Sequence, residues 1–242
     1  MTINPTLLFV IPVFNESQVI ENFIKSLDSN FKQVAHSFIV VNDNSTDNSF
    51  QILSSLEKTL SIQLINNPMN LGHGRSLING LKHALRLKPE YVITLDGDAN
   101  FDSCEIRSIF DKLISDSSLD LIESYRINRS EPVYRKIVSY FTKILIFFKT
   151  KRLAKDANTP LRFYTYNSLS TILQLIPQDS LVPNLHVTII SRKYKLKMIS
   201  MPVNWRNLKK GNLSSTWNFR SRIFPPLKFI TFCIKAFREF AK

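Results

Sequence analysis

The ten residues from Tyr91 to Asn100 constrain this chain more than any others. Tyr91-Val-Ile-Thr-Leu95 is a run of strand-forming residues that leads without a spacer into Asp96-Gly97-Asp98-Ala-Asn100. A buried strand of this kind ends by delivering two carboxylates to one sheet edge. The C-terminal edge of an open α/β sheet is where such folds bind ligands. In extended backbone Asp96 and Asp98 point the same way, and Gly97 between them would let a diphosphate approach without an intervening side chain. Two carboxylates with the amide oxygen of Asn100 form a hard oxygen set suited to Mg²⁺ or Mn²⁺ carrying phosphates. Aspartates also gather in turns after strands for purely structural reasons, so the motif acquires meaning only from the rest of the chain.

Upstream, the same pattern recurs. Leu7-Leu-Phe-Val-Ile-Pro-Val13 is a continuous apolar run, as a strand buried on both faces requires, and it gives way to Phe14-Asn15-Glu16-Ser17 before an amphipathic helix. Ser37-Phe-Ile-Val-Val41 leads into eight polar residues, 42–49, which bring Asp43 to the same edge and offer Ser45 or Thr46 as a helix N-cap. A third strand, Ser61 to Ile65, precedes Asn70-Leu-Gly72-His73-Gly74-Arg75 and a helical pattern. Backbone N–H groups at that helix start favour an anion such as a diphosphate. Another amphipathic helix follows the aspartate pair, then a fifth strand at 119–122. Strands alternating with helices predict right-handed crossovers and a mainly parallel sheet flanked by helices.

Beyond Glu123 the texture changes. Ile137 to Phe148 is more apolar than a surface helix, yet Ser139, Thr142 and Lys143 interrupt it and it is too short to span a bilayer. With basic residues on both flanks it reads either as a helix in a membrane interface or as one buried under the sheet edge. A loop from Asp156 to Arg162 enters a strand-like run, 185–194 is amphipathic, and 196–203 is strand-like. Near the end, Lys228, Thr231, Lys235, Arg238 and Lys242 fall on one helical face, with Leu227, Ile230, Ile234, Phe237 and Ala241 on another.

Charge follows this division. The net charge is +13, and residues 188–242 hold 13 Lys/Arg against Glu239 alone, so nearly all of it lies in the C-terminal quarter. A second basic block, 126–155, has nine Lys/Arg against Glu131. Such asymmetry points to an anionic partner, nucleic acid or a membrane surface. There is no aromatic RNA-binding signature or zinc spacing, so nucleic acid is not expected. Cys104 and Cys233 have no metal or redox spacing and read as reduced residues of a cytoplasmic protein. The N-terminus lacks the charged and apolar regions of a signal peptide, and no apolar stretch is long enough to span a bilayer. The expectation is a catalytic domain over residues 1–215, with halves 1–125 and 126–215, and a basic amphipathic tail over 216–242.

Taken together, Ile11-Pro-Val-Phe-Asn-Glu16, Val41-Asn-Asp43-Asn-Ser-Thr-Asp47, Asn70-Leu-Gly-His-Gly and Leu95-Asp96-Gly-Asp98-Ala-Asn100 resemble the nucleotide-sugar-binding half of inverting glycosyltransferases of family 2, which have the GT-A fold. The second half is similar to one branch, the dolichyl- or polyprenyl-phosphate sugar synthases: Arg126, Arg135-x-x-x-Ser139, Asp156-x5-Arg162, then Arg206 before Gly211. The resemblance implies that Pro12, Phe14 and Glu16 line the nucleotide pocket, that Asp43 contacts the base, and that Gly72, Gly97 and Arg206 help hold the donor. It implies a metal, Mg²⁺ or Mn²⁺, on Asp96, Asp98 and Asn100. Arg126, Arg135, Ser139, Asp156 and Arg162 are then expected around the acceptor phosphate, with Arg206 serving that phosphate or the donor's diphosphate. Asn42 and Asn44 stand where the family more often has Asp and Gly, and Pro160 where Gly is common. His186 and Asn184 stand where many relatives carry an acid.

That last difference bears on chemistry. A sugar hydroxyl must lose a proton as it attacks, whereas a lipid phosphate is already ionised and needs no base. The expected reaction is therefore transfer of a hexose from a UDP- or GDP-sugar to a polyprenyl phosphate, catalysed by an enzyme lying peripherally on the anionic cytoplasmic leaflet, where a membrane-protein partner could join it. The alternative is a family 2 enzyme acting on a hydroxyl of a glycan or glycolipid, for which Asp156, Asp179 or His186 would serve as base.

Overall fold

The computed structural model describes residues 6–128, 132–206 and 225–241. Gly211, most of the basic loop reaching Ser215 and the boundary expected at 215/216 lie outside the described residues. Within them, seven strands form one sheet in the order β3-β2-β1-β4-β6-β5-β7. These are β1 (Leu7–Val13), β2 (His36–Asn42), β3 (Ile62–Asn66), β4 (Tyr91–Thr94), β5 (Leu121–Ile127), β6 (Arg162–Thr165) and β7 (Met198–Asn204). Strands β1 to β4 are mutually parallel, as the alternating pattern predicts.

Every residue of β1 is buried, which is why its seven residues carry no polar alternation. One face, Leu7, Phe9, Ile11 and Val13, packs beneath α1 (Ile20–Phe31), α2 (Ser49–Leu56) and α4 (Ser103–Ser115), where Phe9 stacks on Phe38 and meets Phe31 edge-on, each at 5.0 Å. The other face, Leu8 and Val10, packs on α3 (His73–Arg86), α6 (Tyr166–Leu175) and α7 (Pro183–Lys193). Pro12 is tolerated inside a central strand for a specific reason. Its carbonyl points towards β4, so its missing N–H would too, and β4 leaves the ladder after Thr94, opposite Val10.

The second half of the chain enters the same sheet. Strand β6 is antiparallel to both β4 and β5, with Thr94 opposite Arg162 and Glu123 opposite Arg162. Its reversal places the 156–161 loop at the edge where β4 and β5 end, and the Thr94 hydroxyl donates to the Pro160 carbonyl at 2.9 Å. The two halves are thus interleaved, because β6 lies between β4 and β5.

The interrupted apolar segment is a single helix, α5 (Val133–Thr150), with only Tyr134 and Ile146 buried. The reading of a helix enclosed under the sheet edge is therefore not the observed one. A last helix, α8 (Leu227–Ala241), docks through a third strip, Phe229, Ala236 and Phe240, distinct from both the cationic strip and the Leu227/Ile230/Ile234/Phe237 strip. No helix among the described residues is long and apolar enough to cross a membrane.

Candidate active site

Three parallel strands end in loops that hydrogen bonds join into one rim. At the end of β1, the Asn15 N–H donates to Ser45 Oγ (3.0 Å), the Thr46 N–H donates to Asn15 Oδ1 (2.8 Å), and the Ser17 N–H donates to Asp47 (3.1 Å). Neither Ser45 nor Thr46 caps α2. Asn48 occupies the N-cap without a side-chain bond, and the two hydroxyl residues are spent on fastening the β1 and β2 loops. Burial pushes the Asp47 carboxyl up, but hydrogen bonds from Ser49 and Ser17 outweigh it and hold the group below its ordinary value.

Asp43, buried at the end of β2, acts through the next loop. It accepts the Leu71 N–H (2.8 Å), the Gly72 N–H (2.9 Å) and the Asn67 side-chain amide (2.9 Å). The residue expected to touch the base thus fixes the loop before α3. Gly72 adopts φ +88° and ψ 155°, a region essentially reserved for glycine, and nothing lies within 4 Å of where a Cβ would stand. This surface is open to a ligand. Gly97 is different: a Cβ there would come within 2.8 Å of Val13 Cγ2, so packing against β1 by itself calls for glycine.

The aspartates stand on the third loop. Asp98 accepts the Asn100 N–H at 3.3 Å and the Asn100 side-chain amide, so Asn100 orients Asp98. Asp96 Oδ1 is buried without a hydrogen-bond partner among the described residues, while His73 Nε2, at the first position of α3, lies 3.6 Å away. A buried carboxylate oxygen left in this state, two residues from Asp98 on the same loop, fits a hard divalent cation. His73 completes the rim by linking the α3 start to the aspartate loop. The sequence placed it in the Asn70–Gly74 motif without giving it a role, and its position directly after Gly72 was the available signal. Asn15, Asn44 and Ala99 all have positive φ, near 56–58°, so each of the three loops carries a left-handed turn at a non-glycine residue. Asn44 can stand where relatives use Gly because asparagine tolerates this region.

Arg206 reaches this rim from β7. Its N–H donates to the Asn100 carbonyl (2.8 Å) and its half-exposed guanidinium pairs with Asp102 (2.7 Å), the N-cap of α4. Burial raises the Asp102 carboxyl, but the Cys104 N–H, Arg206 and the Glu105 N–H together hold it below its ordinary value. Arg126, at the end of β5, forms a two-pronged pair with Asp156 (2.7 and 3.0 Å). Arg135 and Ser139 stand one turn apart on α5. Arg162 is enclosed: it and Arg192 grip the buried Glu123 at 3.1 and 2.7 Å, and Arg162 also donates to Thr188 and to main-chain carbonyls. With no exposed surface it braces β5 and β6 against α7 and has no access to an acceptor phosphate.

His186 is likewise committed. Its Nε2 meets Glu239 of α8 at 2.7 Å and its ring stacks on Phe240. Glu239 also accepts the Ser180 hydroxyl and the Leu181 N–H (3.0 Å), and the carbonyls of those two residues lie 2.6 Å from where a Cβ on Gly74 would be. Both cysteines are free, and burial pushes the Cys233 thiol up.

Comparison with solved structures gives the class. The chain matches glucosyl-3-phosphoglycerate synthase from Mycobacterium tuberculosis, solved with Mn²⁺, UDP and glucosyl-3-phosphoglycerate, with a TM-score of 0.67 over 96% of this chain and 77% of that one, at 15% identity. The fold is that of GT-A glycosyltransferases. More particularly, residues 8–173 match the family model described as Glycosyl transferase family 2, and the chain belongs to that family. Among its relatives are a UDP-N-acetylglucosamine–dolichyl-phosphate N-acetylglucosaminyltransferase of Methanococcus voltae, 24% identical over 80% of this chain and 83% of the relative, and an undecaprenyl-phosphate 4-deoxy-4-formamido-L-arabinose transferase of Salmonella paratyphi B, 24% identical over 84% of this chain and 60% of the relative. The protein is a glycosyltransferase.

Proposed function

We propose that this enzyme transfers a hexose from a UDP- or GDP-sugar to a polyprenyl phosphate, with inversion and with Mg²⁺ or Mn²⁺. The nucleotide would lie along Pro12, Phe14 and Glu16, and the diphosphate across the open surface at Gly72 and the Asp96 loop. Asp96 and Asp98 would hold the metal, which when bound supplies positive charge against the departing diphosphate. Asp43 sets the Gly72 amide in place, Asn100 sets Asp98, and Arg206 stands beside them as an exposed cation. Arg126 is aimed by Asp156 at the same sheet edge, where with Arg135 and Ser139 it would receive the acceptor phosphate. A phosphate oxygen then attacks the anomeric carbon as the bond to the diphosphate breaks, and that electron pair leaves with the nucleoside diphosphate.

One observation carries the choice of acceptor. Two of the three carboxylate or imidazole groups that could deprotonate a hydroxyl are already paired, Asp156 with Arg126 and His186 with Glu239. An ionised acceptor needs neither. The hydroxyl-acceptor reading keeps Asp179, which is exposed in the turn beside Gly74. Labelled UDP- and GDP-sugars incubated in detergent with polyprenyl phosphate and Mn²⁺ decide between them. Organic-extractable label, lost on removal of metal, supports the lipid-phosphate reading. Donor hydrolysis without lipid labelling rejects it and turns attention to Asp179.

A further inference from the structure

On α5 many of the outward residues are apolar. Val133, Ile137, Tyr140, Phe141, Phe147 and Phe148 recur at helical spacing and all are exposed, Tyr140, Phe141 and Phe148 by more than 60%. Helix α8 repeats the arrangement with Leu227, Ile230, Ile234 and Phe237. The two helices lie side by side and run the same way: Tyr134 packs on Phe229 near their starts, and Lys149 donates to the Phe240 carbonyl near their ends. Soluble surfaces seldom show two adjacent stripes of this kind without a partner. Lys136 and Lys149 on α5, and Lys228, Lys235 and Arg238 on α8, are exposed around them. The acid these two helices contribute, Glu239, is turned inward to Ser180, Leu181 and His186.

We infer that α5 and α8 form one two-helix platform that lies on an anionic lipid leaflet, with the aromatic stripes entering the interface and the lysines and arginine meeting headgroup phosphates. Charge complementarity selects this occupant. A second copy of the chain would set one cationic rim against another, whereas a leaflet supplies both an apolar layer and negative charge. The inference rests on the lipid-acceptor reading only in what the platform is for. It brings the Arg135/Ser139 face of α5 to the surface from which a polyprenyl phosphate would enter.

The test is flotation of the full chain with vesicles of phosphatidylcholine alone or mixed with phosphatidylglycerol in roughly a 7:3 ratio. The expected result is binding to the mixed vesicles, weakened about tenfold or more by the double variant Phe141→Ser/Phe148→Ser and by Ile234→Ser/Phe237→Ser. Lys235→Glu should weaken it roughly fivefold. Circular dichroism and detergent turnover on a short-chain polyprenyl phosphate should stay unchanged, because these residues are outside the site. Wild-type protein that ignores both vesicle types, or apolar variants that float as well as wild type, would overturn the platform. So would a dimer in solution that Phe141→Ser/Phe148→Ser dissociates. Detergent turnover without vesicle binding defeats the platform alone, while vesicle binding without lipid labelling defeats the acceptor reading alone.

Discussion

The carboxylates on the two sides of this sheet differ in the contacts they share: main-chain amides on one, basic side chains distant in sequence on the other. On the side proposed for the donor, Asp43, Asp47 and Asp102 accept backbone N–H groups from residues close by or from the adjoining loop. On the side proposed for the acceptor, Glu123, Asp156 and Glu239 are gripped by basic residues 30 to 69 positions away in sequence: Arg162, Arg192, Arg126 and His186. A main-chain amide cannot be substituted away, so the donor rim is built into the backbone path. The acceptor side depends on particular pairs, and its geometry is open to change by mutation. The difference suits a fold whose donor chemistry is shared while its acceptors vary.

The strongest way to break this comparison is Glu123→Gln. It leaves two buried guanidinium groups facing a neutral amide, and the unfolding free energy measured in urea should fall by about 3–5 kcal/mol. A loss under 1 kcal/mol would mean that backbone contacts hold the acceptor side as well. Next is Asp96→Asn, which should leave the urea midpoint unchanged and reduce sugar transfer by about 10²–10³-fold. Gly72→Ala forces an alanine into a glycine-only region and should destabilise the fold by about 1–3 kcal/mol while raising the donor KM. If KM is untouched, the loop that Asp43 holds does not face the donor.

The smallest effect sharpens the comparison through pH. Asp102→Ala removes an N-cap and should cost about 1 kcal/mol at neutral pH, read as a shift in Tm. Because folding holds the Asp102 carboxyl below its ordinary 3.8, its contribution is complete above that pH and is lost as pH falls through the lower folded value. The Tm gap between wild type and variant should therefore be constant from neutral pH to about pH 4 and close below it. A gap independent of pH would show that the charge of Asp102 is not what matters.

These patterns also explain what the sequence could reveal. Strand β1 was legible because a two-sided burial demands an unbroken apolar run, and the Asp43 and Asp96 loops because each follows such a strand directly. At Gly97 a glycine between two aspartates says that space is needed, and only the packed structure shows that a Cβ there would meet Val13. Arg162 was expected at the acceptor phosphate from its place in the Asp156-x5-Arg162 pattern. Its enclosure depends on β6 inserting between β4 and β5, which no local pattern encodes. The Glu239 contacts with His186 and Ser180 join residues more than fifty apart and were equally out of reach.

Those Glu239 contacts tie α8 to the proposed donor site. The turn it clasps rests on Gly74, two residues from Gly72, whose N–H is held by Asp43 from the other side. The helix is a buttress, and the load it carries is the start of α3. A donor loop pinned by Asp43 from within the sheet and propped by α8 from outside keeps its shape only while both supports stand. Trimming the chain at 225 would therefore be felt as a looser grip on nucleotide sugar, far from the cut.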